Sequence, residues 1–365
     1  MTGGDDNKRV VVAMSGGVDS SVAAHLLKEA GYECTGVFMR SGVGEADDGA
    51  GGAKRCCSAV DAADARRVAT ALGIPFYVAD FGPQFDSLIE YFCGEYGRGR
   101  TPNPCIVCNR DLKFGRLFEY ADMLGARYVA TGHYARIENE GSRWHLKRGA
   151  DGDKDQSYVL FPILRERLER VLLPMGNMKK SETRGIARDL GLAVHQKPES
   201  QEVCFVTHSP MELIRARHPE LVRPGPILDV EGNKVGRHTG IVGYTVGQRK
   251  GIGRGTGPGV PRYVVAIRAD ENAIVVGSRE DLLFAGLAAS GVNWLASLPG
   301  GPMHGEVQIR YRHKPVPATI SPDGPDSVRV EFDEPQSAPA PGQAVVFYDG
   351  DCVLGGGWID RAIPR

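Results

Sequence analysis

The rhythm of apolar and polar positions changes along the chain. In the first third, short unbroken apolar runs alternate with stretches that are apolar every three or four residues. Arg9–Met14 (RVVVAM) reads as a buried strand, and from about Ser20 the residues Val22, Ala23, Leu26, Leu27 and Ala30 recur at helical spacing until Gly31. The same reasoning predicts strands at Cys34–Met39, Pro75–Ala79 and Arg127–Ala130, and helices at Ala59–Leu72, Gln84–Tyr96 and Asn109–Leu124. Strands separated by helices of this length predict a parallel sheet with right-handed crossovers. Ser41–Lys54, between the second strand and its helix, is a Gly/Asp loop. In the middle of the chain, Leu164–Leu173 and Lys180–Leu190 are amphipathic and read as helical. After about residue 220 the elements become short and β-branched: Tyr263–Ile267, Ala273–Val276, Glu306–Tyr311, Ser327–Phe332 and Ala344–Tyr348, separated by Gly, Pro and Asp. That pattern predicts an all-β region, one small β module and one barrel. No internal repeat interrupts it.

Composition adds limits. With 365 residues, 42% hydrophobic and 24% charged, the chain has the make-up of two or three globular domains, which excludes collagen, coiled coil and disorder. No apolar run approaches the roughly 18–20 residues of a membrane span, and Met1–Asn7 lacks a signal-peptide layout. A cytoplasmic protein with no membrane partner is expected, its eight cysteines serving as thiols or core residues. The net charge of −1 conceals segregation. Residues 1–95 hold 8 basic and 14 acidic side chains; residues 96–116 hold Arg98, Arg100, Arg110, Lys113 and Arg116 against Asp111 alone. Lys234 to Arg268 carries seven cations and no anion, whereas from Asp323 onward eight acids face three arginines. Such stripes suit a polyanion, because each neutralised phosphate releases counterions.

Ser15-Gly16-Gly17-Val18-Asp19-Ser20 lies between the first strand and the first helix. Two glycines allow a tight turn that aims N–H groups at a phosphate, Ser15, Ser20 and Ser21 offer hydroxyls, and the helix adds its positive end. There is neither a Gly-Lys-Ser/Thr loop nor a Gly-x-Gly-x-x-Gly fingerprint. Asp19 in a phosphate site suits a carboxylate holding Mg²⁺ on pyrophosphate. The hexapeptide resembles the PP-loop of ATP pyrophosphatases, which split ATP to AMP and pyrophosphate while adenylating a substrate. Ligands of open parallel sheets bind beyond the carboxyl ends of strands, where Met39 and Thr131-Gly132-His133 are also expected.

Thr101-Pro102-Asn103-Pro104-Cys105-Ile106-Val107-Cys108-Asn109 reads as a proline-stiffened loop, with Asn109 able to cap the next helix. A cysteine before that helix, close to Arg100, Arg110 and Lys113, should be reactive. Cys204 follows the polar stretch Lys197–Val203; Cys34, Cys93 and Cys352 read as core, and Cys56 and Cys57 open a helix without an evident role. One Cys-x-x-Cys pair is only moderate evidence for zinc, which would want a second ligand pair, and none is spaced that way.

Taken in order, the PP-loop, TPNPxxxCN, Thr131–Tyr134 (TGHY), Lys154–Tyr158 (KDQSY), the Cys204 stretch, Gly247–Gly251 (GQRKG), Arg310–Arg312 and Pro341–Gln343 (PGQ) resemble the tRNA-specific 2-thiouridylases over nearly the whole chain. The resemblance implies an α/β fold: a parallel-sheet PP-loop (adenine nucleotide α-hydrolase-like) catalytic domain over 1–218, with a helical tRNA-binding segment around 150–218. A central β domain at 219–284 and a C-terminal β-barrel at 285–365 would follow. It implies an ATP-dependent sulfurtransferase acting on a tRNA wobble uridine, with ATP bound by Ala13, Met14, Ser15, Gly16, Gly17, Val18, Asp19, Ser20, Met39 and Gly132. Cys204 would carry a persulfide and Cys108 would close a transient disulfide with it. Asn103, Pro104 and Cys105 would meet the target base. Lys154, Asp155, Gln156, Arg310, Tyr311 and Arg312 would bind tRNA, with His133 and Gln343 at positions associated with its recognition. The expected partners are tRNA and a persulfide or sulfide donor protein, not DNA.

The chemistry agrees. Oxygen on uracil C2 is a poor leaving group until AMP is attached; a persulfide sulfur is a strong nucleophile, and a second thiol must take over the inner sulfur's bond. A loop base is cheaply unstacked to reach a cleft. One position departs from the family: many members have Asp where this chain has Cys105. That leaves an alternative in which Cys105, Cys108 and Cys204 hold three irons of a [4Fe–4S] cluster whose fourth iron binds sulfide. Another PP-loop adenylating enzyme, such as an amidotransferase, would need no such cysteines. A non-catalytic RNA-binding protein would need no intact phosphate loop.

Overall fold

The computed structural model describes residues 7–42, 59–197, 203–206, 208–252 and 262–365. Cys56, Cys57, Arg254 and most of the Ser41–Lys54 loop therefore lie outside the described residues. Two compact units divide the chain: Met1–Leu88, Cys105–Phe205 and Asp351–Val353 form the first, and Ile89–Pro104, Val206–Gly350 and Leu354–Arg365 the second.

The chain opens with β1 (Arg9–Ala13), α1 (Val18–Glu29), β2 (Glu33–Arg40), α2 (Ala59–Leu72), β3 (Phe76–Asp80) and α3 (Gly82–Gly97). There follow α4 (Pro104–Val107), a π-helical stretch (Cys108–Arg116), α5 (Leu117–Met123), β4 (Tyr128–Ala130), β5 (Ala135–Glu140), β6 (Arg143–Arg148), β7 (Val171–Leu172) and α6 (Lys180–Asp189). The sheet of the first unit is five-stranded and parallel, ordered β3-β2-β1-β4-β7. Val10 and Val12 of β1 and Phe38 of β2 are buried with Val22, Ala23 and Leu27 of α1 and Val68 of α2. Apolar runs on strands and 3–4 spacing on helices build this core, as the sequence predicts. Strand order reverses between β1 and β4, which makes the carboxyl edge there the topological switch point where α/β sheets bind ligands.

Three readings change. The helix expected at Asn109 begins at Pro104, because a proline at the first helical position has a suitable φ and lacks only an N–H that would be unpaired anyway. Cys105 therefore sits in the first turn, and Cys108 lies inside a continuous helical run rather than ahead of it. Leu164–Leu173 is not an α-helix: a 3-10 turn over Arg165–Arg170 leads into β7, an edge strand beside β4. Leu173 precedes Pro174, which biases it to extended backbone and stops helix there. The β5–β6 hairpin, paired Ala135↔Arg148 through Glu140↔Arg143, has no counterpart among the predicted elements.

The second unit holds α7 (Pro210–Arg217), β8 (Gly225–Leu228), β9 (Lys234–His238), β10 (Tyr263–Arg268) and β11 (Ala273–Gly277), the four strands making a sheet ordered β10-β11-β8-β9. The remaining strands are β12 (Leu283–Trp294), β13 (Met303–Gln308), β14 (Val316–Pro322), β15 (Val328–Ser337), β16 (Ala344–Asp349) and β17 (Cys352–Ile363). They run β12-β15-β14-β13-β16-β17, and β17 pairs again with β12, closing the expected C-terminal barrel. On β15, Val328, Val330 and Phe332 are buried while Arg329, Glu331 and Asp333 are exposed, the period of two that fills a barrel interior. The strand expected over Glu306–Tyr311 ends at Gln308, so Arg310, Tyr311 and Arg312 occupy the following turn, all exposed.

Candidate functional site

The phosphate loop leaves β1 at Ala13 and enters α1 at Val18, with Gly17 as the helix N-cap. Gly16 has φ +71, and a Cβ on it would lie 2.3 Å from the Asp61 carbonyl oxygen, so both its conformation and its space require glycine. Ser20 braces the turn: its Oγ accepts from the Ser15 amide at 3.2 Å and lies 3.3 Å from Ser15 Oγ. Ser21, expected as a phosphate donor, is fully buried and gives its hydroxyl proton to the Gly17 carbonyl at 2.7 Å. Met14 is 2% exposed, its side chain sunk against Gly36, which leaves only its backbone for a ligand. Gly132 follows β4 across the switch point; a Cβ there would meet the backbone of Asp19 and Ser20 at 2.7 Å. Its lack of a side chain is thus explained by close packing on the start of α1.

Asp19 differs from the expectation of a magnesium ligand. Its two oxygens lie 2.6 and 2.7 Å from Lys180 Nζ on α6, and the Tyr134 hydroxyl lies 2.9 Å from Oδ1. Lys180 also sits 5.5 Å from the Tyr134 ring centroid, a cation–π distance. This carboxylate is held as an ion pair. Lys180 is a site residue that sequence reading missed, because 161 positions separate it from Asp19 and nothing local marks it.

The π-helical stretch is tied to the same edge. Gly115 permits its wide turn, since a Cβ there would sit 2.9 Å from the Arg110 carbonyl, five residues earlier. Lys113 Nζ reaches His133 Nε2 at 3.4 Å, while His133 Nδ1 lies 2.6 Å from Thr131 Oγ1. With the ammonium donating to Nε2, the ring proton belongs on Nδ1. Asn109, expected to cap a helix, is 1% exposed and donates Nδ2 to the Val159 carbonyl at 2.9 Å. Cys108, half-buried, therefore stands on a helix fastened through Lys113 and His133 to the segment that packs on the phosphate loop.

Burial, reinforced by the Lys113 ammonium, holds the His133 imidazole well below its ordinary value of 6.5. The folded state keeps it neutral, whereas the unfolded chain takes up a proton below about pH 6.5. The stability it contributes is full above that pH and is lost as pH falls, at about 1.4 kcal/mol per unit until the folded ring itself protonates. Urea unfolding at pH 7 and 5.5 should show that loss in the native chain and a smaller one in His133→Asn. Equal acid losses in both would contradict this assignment.

Lys197, seven positions before Cys204 in sequence, also binds the phosphate loop. Its ammonium donates to the Gly16 carbonyl at 2.9 Å, to Asp61 Oδ1 at 2.5 Å and to Asp64 Oδ2 at 2.8 Å. Cys204 is half-buried and Cys105 exposed, and both belong, with Cys108, to the first unit. Cys34 and Cys93 are core thiols, their pKa values pushed up to about 11 chiefly by burial. Cys352, also expected in the core, is only half-buried and lies 3.5 Å from His145 Nδ1.

Several residues expected at the tRNA also make hydrogen bonds within the chain. Asp155 accepts from the Gly149 and Ser157 amides and the Ser157 hydroxyl, and Gln156 Oε1 accepts from the Tyr134 amide. Lys154 is half-buried in the same turn. In the second unit, Gln343 Nε2 donates to the Thr101 carbonyl at 2.9 Å, and the Thr101 amide donates to the Pro341 carbonyl at 2.7 Å. The turn at 341–343 thereby props the residues preceding half-buried Asn103 and buried Pro104. The basic stretch at 96–116 is also less bare than its composition suggests. Arg98 and Arg100 both bind Glu95, Arg110 binds Asp111 and Arg116 binds Glu119, so the excess over 95–119 falls to five cations against three acids. Lys234, Arg237, Arg249 and Lys250 remain exposed on the second unit.

Three family models match the chain: the tRNA methyl transferase HUP domain over residues 8–208, the PRC-barrel domain over 215–278 and the aminomethyltransferase β-barrel domain over 284–359. A tRNA-specific 2-thiouridylase MnmA of Rhodopirellula baltica is 47% identical, covering 98% of this chain and 97% of its own length. The protein of the same name from Symbiobacterium thermophilum is 49% identical over 98% of this chain and 93% of its own. Among solved structures, a 4-thiouridine synthetase with RNA and ATP bound is 18% identical with a TM-score of 0.36, covering 58% of this chain and 50% of that one.

Proposed function

Since the chain belongs to the tRNA-specific 2-thiouridylase family, we propose that its phosphate loop and two tethered cysteines form one centre for making 2-thiouridine in tRNA. The protein is an ATP-dependent tRNA sulfurtransferase with a PP-loop domain. The observation that carries the site assignment is convergence at the switch point. The helix of Cys108 is tied there through Lys113 and His133, and Lys197, seven positions before Cys204, binds the Gly16 carbonyl of the loop itself.

ATP lies with its phosphates on the amides of Gly16 to Asp19, which open α1 and include those a helix start leaves without intrahelical carbonyls. Ala13, Met39 and Gly132 border the nucleotide. The C2 oxygen of the wobble uridine attacks the α-phosphorus and pyrophosphate departs. The outer sulfur of a Cys204 persulfide then attacks C2, and AMP leaves with the former carbonyl oxygen. The Cys108 thiolate attacks Cys204 Sγ and breaks the S–S bond. Sulfur stays on the base, and Cys108 and Cys204 end as a disulfide that an external thiol must reduce. Oxidation of Cys108 balances reduction of the persulfide sulfur.

Asn103, Pro104 and Cys105 face the base in this reading. Arg310, Tyr311 and Arg312, exposed in their turn, contact the RNA with Lys154. Asp155, Gln156, His133 and Gln343 serve recognition by shaping the turns that touch it. The segments 1–218, 219–284 and 285–365 act as catalytic, central and barrel domains of a cytoplasmic enzyme supplied by a persulfide donor protein. Magnesium would accompany the pyrophosphate, though Asp19 is already committed to Lys180. A [4Fe–4S] cluster on Cys105, Cys108 and Cys204 is the alternative reading; among the described residues no group of three His, Cys, Asp or Glu is placed to hold a metal ion. Among those residues, too, no helix is long and apolar enough to cross a membrane.

Pyrophosphate release measured with and without unmodified tRNA, followed by mass analysis of the wobble nucleoside, tests the reading. Release should require tRNA, and oxygen should be exchanged for sulfur. Release indifferent to tRNA, with no change in nucleoside mass, would end it.

A further inference from the structure

The first turn of α2 presses on the phosphate loop. Asp61 is 7% exposed, its carbonyl occupies the place a Gly16 Cβ would need, and its carboxylate and that of Asp64 converge on Lys197. All three protons of that ammonium are used, two on carboxylates and one on the Gly16 carbonyl. A trans peptide sets its C=O and the following N–H in opposite directions. Holding the Gly16 oxygen on the α2 side therefore turns the Gly17 amide to the other side, where an anion on the start of α1 would sit.

Charge gives the contact a second effect. Two carboxylates beside an anion-binding loop would repel a triphosphate. Lys197 cancels one of them, and Arg67, which also binds Asp64, cancels the other. Burial works against the charge on Lys197, but the hydrogen bonds it donates to Asp61 and Asp64 prevail and raise its pKa. The ammonium thus stays charged throughout the working range.

We propose that Lys197 is a positioning residue for nucleotide binding: clasped by Asp61 and Asp64, it fixes the Gly16–Gly17 peptide and neutralises the acids behind the phosphate loop. The proposal rests on the reading that this loop holds ATP. It also gives the sequence order a meaning, since the chain that reaches Cys204 starts from the residue that shapes the nucleotide loop.

The test uses the full-length protein. Initial rates of tRNA-dependent pyrophosphate release over a range of ATP concentrations give KM and kcat, and calorimetric titration with ATP alone gives the affinity without any chemistry. Lys197→Gln should raise the KM for ATP about tenfold or more, in line with loss of a charge-assisted hydrogen bond, and move kcat much less. Lys197→Arg should restore most of the affinity. A merely structural role would instead lower the melting temperature and the active fraction at unchanged KM, and an unchanged KM in folded Lys197→Gln overturns the proposal. Should that variant fail to fold, Lys197→Gln combined with Asp61→Asn and Asp64→Asn removes the stranded charges. Its KM should still rise, and an unmoved value there is equally fatal. A native chain that binds ATP calorimetrically but never releases pyrophosphate would refute the functional reading alone. One that does not bind ATP refutes both.

Discussion

Cys108→Ser and Cys204→Ser should each abolish thiolation, by about 10³-fold or more, while leaving tRNA-dependent pyrophosphate release largely intact. Adenylation needs the phosphate loop and the base but neither thiol. Sulfur transfer needs both, because a serine cannot carry a persulfide and its hydroxyl cannot take over the inner sulfur at neutral pH. The two variants should also differ. Cys108→Ser can still load sulfur on Cys204, so mass spectrometry of protein treated with a persulfide donor should find the extra sulfur there, and Cys204→Ser should show none at this position. Neither substitution crosses the core, since both side chains are only half-buried, and melting temperatures should stay close to that of the native chain. Undiminished thiolation in both variants would remove the persulfide scheme. Iron and acid-labile sulfide in anaerobically purified active protein would favour the cluster instead.

Gly16→Ala should be the most damaging change outside the cysteines. The new methyl group would need the space of the Asp61 carbonyl, 2.3 Å away, in a backbone with φ +71 that L-residues rarely adopt. Left-handed strain costs about 1–2 kcal/mol, and overpacking against a fixed backbone adds roughly 1–3 kcal/mol. Relief by shifting the loop would turn the amides of Gly16 and Gly17 away from the phosphates. Displacement of about an ångström at a reacting centre can cost on the order of 10²-fold in rate. Pyrophosphate release should fall by at least that factor and urea unfolding should move to lower concentration. Gly300→Ala is the control: nothing lies within 4 Å of its added carbon, and neither quantity should change. If Gly16→Ala behaves like the control, the loop's tight geometry is not what binds the nucleotide.

Much of this was legible in the order of residues. Buried strands and the helices between them have periods that survive translation into structure, so β1, α1, β2, α2 and β4 fall within a residue or two of their predicted bounds. The phosphate loop was legible for the same reason: its glycines, its serines and the helix behind it are consecutive, and their geometry is local. Where the pattern misleads, a local constraint overrides it. Pro104 starts a helix rather than delaying one, and the amphipathic stretch Leu164–Leu173 forms a 3-10 turn and an edge strand instead of an α-helix. The charge count over 96–116 misled because its window stopped one residue short of Glu95 and three short of Glu119.

Sequence by itself determined the parallel sheet, the phosphate loop, the barrel's alternation and the family, each of which depends on neighbours in the chain or on the order of motifs. Tertiary structure alone decided which side chains complete the loop. Lys180 reaches Asp19 across 161 residues, Lys197 reaches Gly16 across 181, and Lys113 meets His133 across 20. No periodicity encodes such pairings, because they arise only when the sheet brings the ends of β1 and β4 together. The same folding buried His133 and gave half-buried Asp155 and Gln343 hydrogen-bond partners within the chain. A polar residue in a motif can face RNA or support the backbone that does, and only burial and a hydrogen-bond partner separate the two.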